Sequence, residues 1–340
     1  METTTIAGIE VSRIGLGTWA IGGLEWGEVP DSQAIATCLA ALDRGINLLD
    51  TAPIYGKGRA EEIIGQAIRA HGRRDAFFIA SKAGLEWGPS GVFSNSTASR
   101  IRQELEASLR RLGTDFIDLY QIHWPDPLIP IVETAALLAD FQREGKVRAL
   151  GVSNFSPAQM REFCSVAPLA SNQPPYNLFE RQIESCADGE SSTPSESILS
   201  WCEREKVAVL TYSSLCRSLL GGRVHRGMVF DAKDIRSVDP KFQEPRFSQY
   251  MTAVEKLAVL AKERFGKTVL ELAARWVLDR PGVSVALWGA KRPDQLDATG
   301  GVMGWKLDTS AMAEIDRIVA ESISDPVGPE YLTPGVRAVA

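Results

Sequence analysis

The feature that most constrains the fold of this chain is a regular alternation of strand-like and helix-like segments, repeating every roughly thirty to forty residues. Eight short apolar segments are predicted strands, and each one runs into a polar or glycine-containing turn. Amphipathic segments lie between them, with apolar residues at helical spacing. Eight parallel strands joined by helices close naturally into a barrel. The alternation therefore predicts an α/β fold, the (β/α)8 TIM barrel.

Strands are predicted at 14–18, 46–49, 77–80, 116–122, 147–152, 169–172, 207–211 and 283–287. Helices are predicted at 31–44, 60–70, 97–112, 130–144, 156–167 and 195–206. Ser156 is expected to cap the fifth of these helices, because Pro157 follows it.

Three further segments complete the prediction. Residues 4–11 are expected to form an N-terminal β-hairpin that plugs the bottom of the barrel. Residues 84–96 and 213–247 are longer than ordinary connections, and long loops in compact domains are usually lids or binding loops. We expect residues 1–340 to form a single domain with these loops at the active site.

Composition excludes several classes of protein. The 340 residues are 44% hydrophobic and 24% charged, with a formal net charge of −6. An acidic chain of this kind favours neither a nucleic acid nor an anionic membrane as partner. No apolar run has transmembrane length, and the N-terminus lacks a signal-peptide pattern. Five cysteines without a Cys-x-x-Cys pair favour reduced thiols in the cytoplasm and no metal site: Cys38, Cys164, Cys186, Cys202 and Cys216.

Polar residues at the ends of three successive strands are the candidate active site. Asp50 ends the second predicted strand and Tyr55 follows in the next turn, while Lys82 and His123 follow the third and fourth strands. All strands of a (β/α)8 barrel point their C-terminal ends at one face, so these residues are expected to converge. Each alone would more often be a structural turn residue, a solvated lysine or a core histidine.

Sequence motifs at these positions resemble those of the aldo-keto reductase superfamily over nearly the whole chain. The matching segments include Asp50–Gly56, Ile122–Pro125 and Gly151–Phe155. Two others, Gln173–Phe179 and Ser214–Arg217, resemble a bacterial, NADPH-dependent branch that acts on small or sugar-type aldehydes. The resemblance implies an oxidoreductase of carbohydrate metabolism that reduces an aldehyde to the alcohol.

The resemblance also assigns roles to the four polar residues, and physical chemistry supports each role. Reduction of a carbonyl needs a proton donor at the oxygen, and Tyr55 is that acid. Lys82 is expected to lower the pKa of Tyr55, because a positive charge stabilises a phenolate, and Asp50 is expected to hold Lys82. His123 is expected to be a neutral imidazole that donates to the substrate oxygen.

Cofactor contacts are expected at the later strand ends. Ser153, Asn154 and Gln173 would bind the nicotinamide carboxamide, and Tyr212 would stack on the ring. Ser213, Leu215 and Arg217 would clamp the pyrophosphate, while Lys291 and Arg292 would meet a 2′-phosphate and so favour NADPH over NADH. The full expected set is Gly17, Thr18, Asp50, Ser153, Asn154, Gln173, Tyr212, Ser213, Leu215, Arg217, Gly289, Lys291, Arg292 and Gln295.

The substrate is expected to be a small aldehyde or ketone that contacts His123, Trp87 and Trp124. The chain would act as a monomer or small homo-oligomer. Two other functions fit the same residues. One is a cofactor-sensing subunit that turns over slowly, since fold does not fix function. The other is a lyase or isomerase that uses Lys82 as a Schiff-base nucleophile, although the nearby Asp50 favours a charged lysine.

Overall fold

The computed structural model describes residues 1–89, 91–185 and 196–337. Within these ranges the strands are β1 Thr3–Ile6, β2 Ile9–Ser12, β3 Ile14–Gly17, β4 Leu48–Asp50, β5 Phe78–Ala83, β6 Leu85–Gly88, β7 Gly91–Ser94, β8 Ile117–Ile122, β9 Val147–Ser153, β10 Ser171–Gln173, β11 Ala208–Thr211, β12 Val283–Gly289 and β13 Gly335–Val336. The helices are α1 Trp19–Gly22, α2 Asp31–Asp43, α3 Arg59–His71, α4 Ala98–Leu112, α5 Ile131–Arg143, α6 Pro157–Cys164, α7 Ile198–Glu205, α8 Arg246–Phe265, α9 Val269–Asp279, α10 Thr299–Val302 and α11 Thr309–Ser322.

Eight parallel strands close into a barrel in the order β3, β4, β5, β8, β9, β10, β11 and β12, with β12 pairing back onto β3. This confirms the predicted (β/α)8 fold. The six predicted helices correspond to α2 through α7, although residue 195, the predicted start of the last one, lies outside the described residues, as does Cys186. Ser156 caps α6 in a capping box with Gln159, as expected. None of the helices in the described ranges combines the length and apolarity needed to cross a membrane.

The interior of the barrel is filled by side chains that alternate along the strands. Its lower layers are apolar and include Leu48, Phe78, Leu119 and Leu210, all essentially inaccessible to solvent. Ile6 and Val11 of the β1–β2 hairpin pack into the same cluster. The hairpin therefore closes the barrel bottom as predicted. A second, larger apolar layer lies between the barrel and its helices.

The long segment at 84–96 contains a β-hairpin, which the sequence analysis did not predict. Residues of β6 and β7 pair as an antiparallel hairpin, and β13 adds a third strand beside β7. Distant residues of the C-terminal segment supply that pairing, so local sequence alone does not reveal it. The 213–247 segment contains only short 3-10 turns before α8 begins at Arg246. Both segments lie at the C-terminal ends of the barrel strands.

Candidate active site

Asp50 and Lys82 form a buried ion pair inside the upper end of the barrel. The Nζ atom of Lys82 donates to both carboxylate oxygens of Asp50 at 2.8 Å and to the Thr51 carbonyl oxygen at 3.1 Å. Gln173 donates to Asp50 Oδ1 from the opposite side at 2.7 Å. Charge-assisted bonds between buried groups are strong and directional. The lysine ammonium is therefore held in one position.

Tyr55 lies in the turn after β4, and its phenol oxygen is a fourth acceptor around Lys82 Nζ, at 3.2 Å, so the three N–H groups of the ammonium are shared among four oxygens. The turn itself depends on Gly56, which has φ of 60° and packs against Gly22 of α1. A Cβ at Gly56 would lie 2.2 Å from the Gly22 carbonyl oxygen, so a side chain there cannot be accommodated. This contact fixes the backbone that presents Tyr55.

The expected lowering of the Tyr55 pKa is not what the structure supports. Burial raises the pKa of Tyr55 well above its ordinary value, and the negative charge of Asp50 raises it further. Burial likewise lowers the pKa of Lys82, with Asp50 opposing that change. Tyr55 is consequently a protonated phenol at neutral pH, the form that an acid requires.

His123 follows β8 and packs edge-to-face against Tyr55, with ring centroids 5.7 Å apart at 81°. Its backbone N–H donates to the Ala83 carbonyl oxygen at 2.9 Å, which ties the residue to the end of β5. Burial lowers the pKa of His123 well below its ordinary value, and the charge of Lys82 adds to this. The imidazole is neutral, as expected from the sequence.

A cavity of about 430 Å³ opens above these residues. Asp50, Tyr55 and His123 line it, whereas Lys82 is fully buried behind Tyr55. Both expected substrate contacts, Trp87 and Trp124, form part of its wall. The expected cofactor contacts that also line it are Gly17, Ser153, Asn154, Gln173, Tyr212, Ser213, Leu215, Arg217, Gly289, Lys291 and Gln295.

The amide cluster at the ends of β9 and β10 is ordered by its own hydrogen bonds. Asn154 donates to the His123 carbonyl oxygen and to Ser153 Oγ, both at 3.0 Å, and Ser153 donates to the Gln173 carbonyl oxygen at 2.6 Å. The Tyr212 hydroxyl donates to Asn154 Oδ1 at 2.9 Å. Asn154 adopts φ of 63°, a left-handed conformation that asparagine tolerates better than most residues.

The segment after β11 stores backbone strain beside the cavity. Cys216, Arg217 and Ser218 have φ of 48°, 50° and 70°, and Ser213 has φ of 56°. Left-handed conformations cost about 1–2 kcal/mol per residue, so three in succession must be held by surrounding contacts. One such contact is the buried ion pair between Arg217 and Asp239, at 2.9 Å. Much of the charge of Arg217 is therefore already compensated within the protein.

Two of the expected cofactor residues do not reach the cavity wall. Thr18 is buried, and its hydroxyl donates to the Asp50 carbonyl oxygen at 2.8 Å. Arg292 turns outward and makes two hydrogen bonds to Asp294, at 3.0 and 3.1 Å. The side-chain oxygen of Gln295 accepts from the backbone N–H groups of Lys291 and Arg292 and so shapes this turn.

Several wall residues were not predicted from the sequence. Most come from the segment after β3, from the 213–247 segment and from the C-terminal segment, and the others lie in or next to β4, β6, β7 and β12. A signal existed only for the first group, where two tryptophans stand close together behind a strand. The residues are Trp19, Ala20, Glu25, Trp26, Ile54, Leu85, Val92, Ser214, Ser218, Ile235, Arg236, Leu287, Ala290, Tyr331 and Leu332.

The cavity suits a dinucleotide cofactor in two respects. Arg217 Nε and Trp26 Nε1 are buried donors that have no hydrogen-bond partner within the described ranges, and both residues line the wall. Gly17 and Gly289 leave the ends of β3 and β12 open, because a Cβ at Gly289 would meet no atom within 4 Å. Unpaired donors and open backbone are the features that a phosphate-containing ligand uses.

Comparison with known proteins agrees with this geometry. Residues 13–320 match the sequence model of the Aldo/keto reductase family. The chain is 51% identical to aldo-keto reductase YhdN of Bacillus subtilis over 99% of both proteins. It is 33% identical to the NADH-specific methylglyoxal reductase of Escherichia coli, covering 93% of this chain and 96% of that protein.

A solved structure is similar over a comparable length. The glycerol dehydrogenase AKR11B4 from Gluconobacter oxydans superimposes with a TM-score of 0.84 at 46% identity, covering 96% of this chain and 98% of the other. The barrel, the buried Asp50–Lys82–Tyr55 arrangement and the sequence matches lead to the same conclusion. This chain belongs to the aldo/keto reductase family and is an oxidoreductase that uses a nicotinamide cofactor to reduce carbonyl compounds.

Proposed function

We propose that this protein reduces a short hydroxylated or sugar-type aldehyde to the alcohol with NADPH, and that Tyr55 supplies the proton. The observation that carries the proposal is the position of the Tyr55 hydroxyl. It lies on the wall of the 430 Å³ cavity, 3.2 Å from the buried ammonium of Lys82.

Tyr55 is set up to donate rather than to accept a proton. Its oxygen accepts the Lys82 hydrogen bond, so its own O–H is free to point at a carbonyl oxygen in the cavity. As the proton leaves, negative charge develops on the phenol oxygen beside the ammonium. That interaction is stronger in the transition state than in the ground state, as catalysis requires. Asp50 keeps the ammonium in place throughout.

His123 would orient the carbonyl oxygen beside Tyr55. A neutral imidazole can donate one hydrogen bond without competing as an acid, and its packing against Tyr55 brings both donors to one point. Trp87 and Trp124 would form the walls against which the rest of the substrate lies. A wall of aromatic rings with few polar groups suits a small molecule that presents both C–H and O–H surface.

The nicotinamide cofactor supplies the hydride. Asn154 and Gln173 are suited to holding its carboxamide, because amide groups offer both donors and acceptors and are already fixed by Ser153 and Asp50. Gly17 and Gly289 have no side chains, so the pyrophosphate group of the cofactor could approach the protein backbone closely there. The strained turn at 213–218 and Arg217 Nε would contact the phosphates. This turn follows β11, the seventh strand of the barrel, and (β/α)8 barrels often bind phosphate after strands seven and eight.

Lys291 supports a preference for NADPH. It lines the cavity at the end of β12, and burial together with the charges of Arg236 and Arg292 lowers its pKa. Such an excess of positive charge favours a phosphate ester over a free hydroxyl.

Because one relative is NADH-specific, the preference for NADPH over NADH needs a direct test. Lys291→Ala should reduce the ratio of kcat/KM for NADPH to that for NADH by about tenfold. Arg226→Ala, which removes a cation paired with Glu255, should leave the ratio unchanged.

Competing functions make different predictions for the same assay. The Lys82 ammonium donates its hydrogen bonds to Asp50, Thr51 and Tyr55, which argues against a Schiff-base nucleophile.

Continuous NADPH oxidation with a panel of glyceraldehyde, methylglyoxal and aldoses tests the proposal. Many turnovers per enzyme are expected. Binding of NADPH with no more than trace turnover of every aldehyde would instead support a cofactor-sensing subunit.

A further inference from the structure

Glu25 is a carboxylate on the cavity wall without an ion-pair partner in the described parts of the chain. It follows α1, in a turn that also contributes Trp26 to the wall. The other charged wall residues apart from Lys291 are paired: Asp50 with Lys82, Arg217 with Asp239, and Arg236 with Asp234. Glu25 is therefore the source of uncompensated negative charge in this part of the cavity.

One hydrogen bond holds the Glu25 carboxylate, and a second one fixes the backbone of its turn. Its Oε2 atom accepts a hydrogen bond from Trp19 Nε1 at 2.8 Å. Its backbone carbonyl oxygen accepts from the N–H of Ile235 at 3.0 Å, which links the turn to the 213–247 segment. Trp26, the next residue, is tied to Lys291 through its carbonyl oxygen. These contacts direct the carboxylate toward Trp19, and both residues lie on the cavity wall.

The charge lies close to the reacting groups. The Trp19 ring stacks on the Tyr55 ring, with centroids 6.2 Å apart at 26°, so Glu25 is separated from the proton donor by one indole. The negative charge of Glu25 is among the causes that raise the pKa of Tyr55. Two like charges ~8 Å apart at an effective dielectric constant of ~20 alter a rate or binding constant by roughly ten- to thirtyfold.

We propose that Glu25 determines substrate specificity by disfavouring carbonyl compounds that carry an anionic group, so that the enzyme selects neutral aldehydes. The inference rests on the proposed reductase function and narrows its substrate class. An acid-bearing aldehyde would bring a second negative charge into a cavity where Arg217, the cation that acts on Glu25, is already paired with Asp239. The repulsion acts on the bound substrate and on the transition state alike.

The test compares 4-formylphenylacetate with its neutral amide, 4-formylphenylacetamide. A methylene group separates the charge from the ring in the acid, so the two aldehydes have nearly the same intrinsic reactivity. Burial raises the pKa of Glu25, while the Trp19 hydrogen bond and Arg217 oppose that change, so kcat/KM is measured from pH 6 to 9 and the two aldehydes are compared on the high-pH plateau, where Glu25 is ionised. Wild-type enzyme should favour the amide by about tenfold.

Glu25→Gln keeps an acceptor for Trp19 and removes the charge, and it should bring the amide-to-acid ratio at least fivefold closer to one. Glu28→Gln, an exposed neighbour, makes the same change in net charge and should leave the ratio at its wild-type value. An equal ratio in wild type, or a wild-type ratio in Glu25→Gln, would overturn the proposal. If Glu25→Gln fails to fold, the amide-to-acid ratio of kcat/KM in the wild-type enzyme alone tests the proposal, and an equal ratio overturns it. Failure of wild type to reduce either aldehyde would instead refute the proposed function.

Discussion

At the residue scale, the hydrogen bond from Lys82 to Tyr55 determines whether the phenol can donate a proton. The phenol oxygen accepts from Lys82, and Lys82 in turn is neutralised by Asp50 at 2.8 Å. Both side chains are buried, so solvent screens their charges only weakly. Removing one partner leaves an uncompensated buried charge, whereas removing both does not.

Lys82→Met is therefore expected to lower the free energy of unfolding by about 3–5 kcal/mol, because Asp50 is left buried without a partner. The double variant Asp50→Asn/Lys82→Met should recover most of that loss and remain inactive. Urea unfolding and NADPH oxidation measure the two effects separately. As a control, Arg317→Met breaks the exposed pair with Glu321 and should cost less than about 1 kcal/mol. A single variant no less stable than the double would show that the pair is not coupled.

At the scale of elements, α4 is joined to the catalytic face through Glu104. Its carboxylate accepts from the backbone N–H of Gly84, directly after β5, at 2.8 Å and from Arg100 at 3.0 Å. Burial raises the pKa of Glu104 to about 7, with Gly84 and Arg100 opposing the shift. The native state thus binds this proton more readily than the unfolded chain, in which a glutamate titrates near its ordinary value.

This shift predicts a pH dependence with a definite sign. The stability from Glu104 is complete below pH ~4.5 and is lost as the pH rises through about 7, since only the unfolded carboxyl ionises readily in that interval. The loss is at most roughly 3 kcal/mol. In Glu104→Gln this pH-dependent loss should be absent. Its free energy of unfolding should therefore rise relative to that of wild type between pH 5 and 8. Parallel curves for the two proteins would contradict the assignment. The exposed Glu62→Gln should follow wild type.

At the scale of the whole molecule, the segments near the two chain ends close opposite ends of the barrel. Ile6 and Val11 enter the bottom, while Tyr331 and Leu332 line the cavity at the top. Tyr331 donates to Asp239 at 3.1 Å, and β13 adds to the hairpin beside the substrate wall. We propose on this basis that residues 1–340 form one domain.

A single domain predicts one cooperative thermal transition. Far-ultraviolet circular dichroism and tryptophan fluorescence should report the same midpoint, because loss of the closed barrel removes the packing of both chain ends together. Two separated midpoints, or a stable proteolytic fragment that retains one of them, would contradict a single domain.

The sequence predicts the barrel and the convergence of the four polar residues on one face, because both depend on local signals. Asp50, Lys82 and His123 each stand where an apolar strand ends, and barrel topology brings such positions together. Glu25 and Tyr331 were missed because their places on the wall depend on contacts with distant segments. The outward turn of Arg292 depends on a short-range pair with Asp294, which competes with the expected phosphate contact.

The pKa of Tyr55 was predicted in the wrong direction for a related reason. The sequence predicts a lysine near the tyrosine, but it does not show that the lysine is fully buried and paired with Asp50, or that the tyrosine is half-buried. Burial is the larger effect, and it is a property of the folded molecule.

Single-turnover hydride transfer in Tyr55→Phe tests the central claim most directly, with NADPH prebound and oxidation followed after mixing with aldehyde. We expect the rate constant to fall by at least about a thousandfold while the Kd for NADPH changes little, because the proton donor is lost and the ring is kept. Tyr120→Phe is the matched control, since that buried hydroxyl has no hydrogen-bond partner in the described ranges and lies outside the cavity wall. It should transfer hydride at the wild-type rate. Hydride transfer in Tyr55→Phe within a few-fold of wild type would contradict the assignment of Tyr55 as the acid.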